Sequence, residues 1–157
     1  MKMKLKTFYS AVCAAVLSTT TLFASDIMVQ DAYARVSSKA AKSSAAFMMI
    51  HNHSDREARL IAASSDVAKR VELHTHIEED GVMKMTKLED GISIPSHGMY
   101  ALKRGGDHVM LMGLTRSLDH GDIIELTLTF EAAGQVTLAV PIDLERQDKH
   151  SAHSHAD

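Results

Sequence analysis

Three short segments concentrate soft and borderline metal ligands. Val71–His76 carries His74 and His76, Gly81–Met85 carries Met83 and Met85, and Gly106–Leu114 carries His108, Met110 and Met112. A thioether is a soft, neutral ligand, and the metal that favours it together with imidazole is Cu(I). In a β-strand, residues two apart point to the same face. Each segment therefore presents its ligands on one face, although a period of two does not choose between His74 and His76 or between Met83 and Met85. A strand methionine more often fills a core, above all where aromatics are only 4% of the chain and Trp is absent. A single histidine near a turn is more often solvated. Core filling does not explain why three segments each pair soft ligands at matching parity.

The elements that must position these residues read as strands. Residues 26–36, 45–52 and 57–63 precede the cluster, the second of them apolar enough to be buried on both faces. Residues 37–44 and 64–69 read as connections. From Arg70 the strand signals recur at short intervals: 70–76, 81–88, 92–95, 99–103, 108–113, 123–131 and 135–142. Turn chemistry separates them, at Glu79-Asp80-Gly81, Glu89-Asp90-Gly91, Arg104-Gly105-Gly106, Asp119-His120-Gly121-Asp122 and Ala133-Gly134. Many short strands with frequent turns predict an all-β antiparallel sandwich or barrel. No helix of ordinary length and no internal repeat stands out.

The chain has 157 residues, enough for one domain with a core of Val, Ile, Leu, Met and Ala. Lys2, Lys4 and Lys6 followed by the apolar run from Phe8 to Leu17 and by Leu22-Phe23-Ala24 read as a secretory signal over residues 1–24. That run is too short for a stable membrane anchor. Loss of three of the 17 Lys and Arg leaves 14 against 20 Asp and Glu, a net charge of −6 with His neutral. Such a balance argues against nucleic acid or anionic membrane as partners. Cys13 is the sole cysteine, and Ser10-Ala11-Val12 before it lacks the aliphatic residue expected ahead of a lipid-modified cysteine. The exported chain would then have no thiolate, which excludes a blue-copper electron-transfer site. Ser25 at the new terminus speaks against an oxygenase built on an N-terminal histidine. No nucleophile triad, carboxylate pair or phosphate loop supports an enzyme. Residues 25–142 are expected to form the domain. Residues 143–157 are expected to be a disordered polar tail whose His150, His153 and His155 can bind metal without folding. His51, His53, His97 and His120 are expected at the surface.

The segments Glu72-Leu73-His74-Thr75-His76, Gly81-Val82-Met83-Lys84-Met85 and Leu102 to Leu114 resemble the periplasmic copper chaperone family called PCuAC. Its pattern is a His, ten residues, a Met, a spacer, then His-x-Met. Here ten residues separate His74 from Met85, and 22 separate Met85 from His108-Val109-Met110, one more than in the family pattern. Asp31-Ala32-Tyr33-Ala34-Arg35, the Asn52 turn, residues 60–72 and Leu126-Thr127-Leu128-Thr129-Phe130 are also similar to the family, so the likeness spans most of the domain. The resemblance implies a cupredoxin-like antiparallel Greek-key β-sandwich. It implies Cu(I) held by His74, Met85, His108 and Met110, with His76, Met83 and Met112 around them. Two thioethers and two neutral imidazoles carry no compensating negative charge, which serves Cu(I) better than Zn, Mg or Ca. It further implies a periplasmic protein that delivers copper to the dinuclear copper centre of cytochrome c oxidase. The partner would be a copper-accepting oxidase subunit or another copper chaperone. A copper-sequestering or tolerance protein without a dedicated client is the alternative. Family members often end in a His- and Met-rich tail, which His150, His153 and His155 match in His only, and imidazole suits Cu(II) as well as Cu(I).

Overall fold

The computed structural model describes residues 26–147. The signal expected at residues 1–24 and the histidines expected to bind metal in the tail lie outside the described residues. Ten strands follow in order: β1 Ile27–Arg35, β2 Ser43–Asn52, β3 Ala58–Ser64, β4 Ala68–Glu79, β5 Val82–Lys87, β6 Ile92–Ile94, β7 Met99–Leu102, β8 His108–Leu114, β9 Ile123–Phe130 and β10 Gly134–Pro141. No helix occurs among the described residues. Every predicted strand is present.

The strands form two sheets that the chain enters alternately. One has the order β1-β2-β8-β4-β5, with β7 sharing the β2 edge beyond β8, and the other the order β10-β9-β3-β6. All strand pairs are antiparallel. Repeated crossing between two antiparallel sheets makes this the expected Greek-key sandwich.

The core follows the period of two. On β9, Ile124, Leu126, Leu128 and Phe130 are buried, while Ile123 and Glu125 between them are exposed. Facing them across the sandwich stand Ala46, Met48 and Ile50 of β2, Leu73 of β4, and Val109 and Leu111 of β8. Truncating one of these fully buried leucines to alanine would cost about 2–5 kcal/mol. The consequence for function is a matter of parity. With Leu73, Val109 and Leu111 turned inward, their neighbours His74, His108 and Met110 must project from the outer face of the larger sheet.

Two details extend the sequence reading. β4 runs to Glu79 rather than ending at His76, because residues 77–79 pair with β5 in a hairpin arm on which every β5 residue is exposed. Asp80 and Gly81 both take positive φ at its tip, the backbone of a two-residue hairpin turn. Residues 143–147, expected to open the polar tail, lie against β1. The Arg35 guanidinium donates to the carbonyls of Leu144 and Arg146 at 2.8 and 2.6 Å, and Arg146 stacks 4.2 Å from the Tyr33 ring centre.

Candidate metal centre

Strand register brings the predicted residues onto one surface. His74 of β4 stands directly opposite His108 of β8, and Glu72 opposite Met110. On the other edge of β4, His76 stands opposite Met85 and His74 opposite Lys87. Directly opposed side chains share a face and diagonal neighbours remain within reach of a long side chain. The imidazole pair His74–His108 thus occupies the middle row. Met110 lies one row to one side of it, and Met85 one row to the other. The ring centres of His74 and His108 are 6.1 Å apart and steeply inclined at 62°.

Each of these two imidazoles is anchored through one nitrogen. His108 donates from Nδ1 to the Gly106 carbonyl at 2.9 Å, since a carbonyl can only accept. Its Nε2 is buried and has no hydrogen-bond partner. His74 uses Nε2 towards the Glu72 carboxylate at 2.9 Å, and it is Nδ1 that is buried without a partner. An imidazole fixed at one nitrogen by an oxygen acceptor is the usual preparation of a metal-ligating histidine. A buried acceptor left unpaired costs about 1–3 kcal/mol, so its retention twice in one place requires a reason.

The electrostatics agree with a neutral ligand set. His108 is 1% exposed. Burial pushes its pKa down, and the nearby His76 and His74 add to that against the opposing hydrogen bond to Gly106. The ring is therefore unprotonated at neutral pH. Glu72 is held below the ordinary carboxyl range, first by its hydrogen bond to His74 and then by Arg70, whose Nε lies 3.2 Å away. Arg70 also directs a guanidinium nitrogen to the Met112 sulfur at 3.4 Å, which occupies that thioether.

The turn before β8 is braced. Gly106 N–H donates to the Lys103 carbonyl and Lys103 N–H to that of Asp107, with Gly105 at φ 75°. The Tyr100 hydroxyl donates to Asp107 at 2.6 Å, which with burial pushes the phenol up to about 12. The Gly106 carbonyl that this turn presents also takes a hydrogen bond from Nδ1 of His76 at 3.3 Å. One backbone oxygen therefore orients two rings whose centres are 5.1 Å apart.

A cavity of about 210 Å³ opens here, lined by Ala45, Phe47, His76, Met85, Arg104, Gly105 and His108. Met85 is 46% exposed, so the thioether stands at the mouth rather than in the core. His76, expected only to surround the ligands, lines this cavity while His74 sits beneath the surface beside Glu72. Phe47, with its ring centre 6.1 Å from that of His108, and the Gly106 carbonyl are parts of the site that ligand spacing could not reveal. Both come from outside the His/Met pattern. His97 and His120 are exposed as expected and lie near Asp55 and Asp143. His51, expected at the surface, is half-buried.

Residues 27–142 match the family described as "Putative lipoprotein LpqE-like". A relative from Leifsonia xyli subsp. xyli, "Putative lipoprotein Lxx21020", is 32% identical over 114 residues, covering 73% of this chain and 69% of the relative. Among solved structures, the copper-bound PCuAC domain from PmoF2 superposes with a TM-score of 0.62 at 25% identity, over 75% of this chain and 92% of that one. The Cu(I) form of DR1885 from Deinococcus radiodurans does so with a TM-score of 0.56 at 30% identity, over 76% and 80% of the two chains. The chain belongs to the LpqE-like family, and its sandwich is that of the PCuAC copper-binding domains.

Proposed function

We propose that this protein is an exported copper chaperone that carries Cu(I) on the outer face of its larger sheet. The ligands are His74 through Nδ1, His108 through Nε2, and the thioethers of Met85 and Met110. The observation that carries the reading is the pair of opposed imidazoles. Each has one nitrogen fixed and the other buried without a partner, between strands that bear thioethers on the same face. Neutral nitrogen and soft sulfur favour Cu(I) over a divalent ion. The copper-bound relatives of the same fold support the choice of metal.

Copper is cargo in this account rather than a resident cofactor, and no catalytic step is assigned. Met85 at the cavity mouth supports release, because an acceptor's ligands can reach the ion from that side and displace the donors one at a time. The lipoprotein relatives support export, and the reading places the protein in the periplasm. The client is a copper-accepting subunit with a dinuclear copper centre, as in cytochrome c oxidase, or another copper chaperone. The histidines at 150, 153 and 155 add a second, Cu(II)-binding element.

The test is a Cu(I) titration of the protein with and without residues 148–157, followed by mixing with an apo oxidase subunit. At least one equivalent that survives removal of the tail and then moves to the subunit faster than from a free chelate is the expected result. Loss of that equivalent with the tail would overturn the core site. Transfer no faster than from the chelate would make the protein a copper store.

A further inference from the structure

A second cluster of soft ligands lies on the same face of the same sheet. Met28 of β1 stands directly opposite His51 of β2, and on its other edge His51 stands opposite Met99 of β7. One row across three strands therefore reads Met, His, Met. Met49, two residues along β2 and opposite Gln30, projects from the same face. Of the eight methionines beyond residue 24, only Met48 points into the sandwich, and the other seven project from this outer face.

Core filling does not account for the row. Met28 is 39% and Met99 61% exposed, so both thioethers face solvent. Between them, Nε2 of His51 is buried and meets no hydrogen-bond partner. Among the described residues only three side-chain nitrogen or oxygen atoms share that condition, and the other two are Nδ1 of His74 and Nε2 of His108. The state that marks the proposed copper ligands thus recurs once, at the one histidine flanked by two thioethers. The His53 ring lies stacked beside that of His51, with centres 6.1 Å apart and planes 7° from parallel. Among the described residues, the sole polar contact on either flanking sulfur is a long one, from Gln30 Nε2 to Met28 at 3.7 Å.

We infer that Met28, His51 and Met99 form a second site for a soft monovalent cation, Cu(I) in the cell. Neutral imidazole between two thioethers gives three-coordinate N,S,S ligation, which suits that ion and not a hard divalent one. Along β2, His51 is four residues from Phe47, about 13 Å at strand rise. Phe47 adjoins His108, so the two sites can be filled at once.

The experiment is a titration of the protein, its methionine methyl groups labelled, with Ag(I) as a redox-inert probe. The methyl signals of Met85 and Met110 report the first site, and those of Met28 and Met99 the second. The two sites therefore succeed or fail separately. The expected result is that the Met28 and Met99 signals shift within the first two or three equivalents added. They should still do so in the His108→Leu variant, and Met28→Leu/Met99→Leu should bind one equivalent fewer than the parent. Met28 and Met99 signals that stay in place through that range, or an unchanged stoichiometry in the double variant, would overturn the inference.

Discussion

Glu72 and His74 lie two residues apart on β4, with carboxylate oxygen and Nε2 at 2.9 Å. The carboxylate holds Nε2, so Nδ1 is the nitrogen left for the proposed copper. Glu72→Gln keeps the shape and a weaker acceptor but loses the charge. We expect it to lower Cu(I) affinity by about 10- to 100-fold, the usual effect of removing such a support. Competition with a chromophoric Cu(I) chelator measures this, and thermal unfolding of the apo protein should change little.

Replacing His108 separates function from stability. His108→Leu removes a buried nitrogen that has no partner, gives up the Nδ1 hydrogen bond to the Gly106 carbonyl, and fills the same space with carbon. Apo stability should stay within about 1 kcal/mol of the parent because the two effects oppose each other, while the Cu(I) equivalent of the β4–β5–β8 face is lost. Denaturant unfolding and metal stoichiometry on one sample check both halves. A large loss of apo stability would mean that the ring packs for structural reasons.

The pH dependence follows from the direction of the His108 shift. Its folded pKa lies below the 6.5 of a free imidazole, so between the two values the unfolded chain binds the extra proton. The stability linked to this group is fully present above about 6.5 and is lost as pH falls through the depressed folded value. Apo melting temperature should be flat above neutrality and decline below it. His108→Leu should flatten that decline.

Tyr100→Phe tests the turn. It removes the hydroxyl that holds Asp107 at 2.6 Å and leaves the ring in place. We expect about 1 kcal/mol lower stability and a several-fold weaker Cu(I) site, because the Gly106 carbonyl that orients His76 and His108 loses its brace. A stability loss with unchanged affinity would show that the turn supports the fold only.

The fold was legible because its signals are local. Turns such as Glu79-Asp80-Gly81 and Glu89-Asp90-Gly91 mark strand ends, and alternation such as Leu126-Thr127-Leu128 marks faces. β4 runs past its sequence signal because Ile77 to Glu79 have no buried face to impose a pattern. Parity alone showed that each segment aligned its ligands. It could not choose between His74 and His76, because both face outward and only the contacts to Glu72 and Gly106 tell them apart. The row Met28–His51–Met99 was invisible for a related reason. Its members are far apart in sequence, and cross-strand register between β1, β2 and β7 is a non-local property. A lone histidine at a strand end, followed by Asn52 and His53, gave no sign that its Nε2 would be buried.

The most direct measurement is a crystal structure of the protein with one equivalent of Cu(I), the copper located by its anomalous scattering. The account predicts one ion bonded to Nδ1 of His74, Nε2 of His108 and the sulfurs of Met85 and Met110. Copper held by His76 in place of His74, or found away from the β4–β5–β8 face, would contradict it.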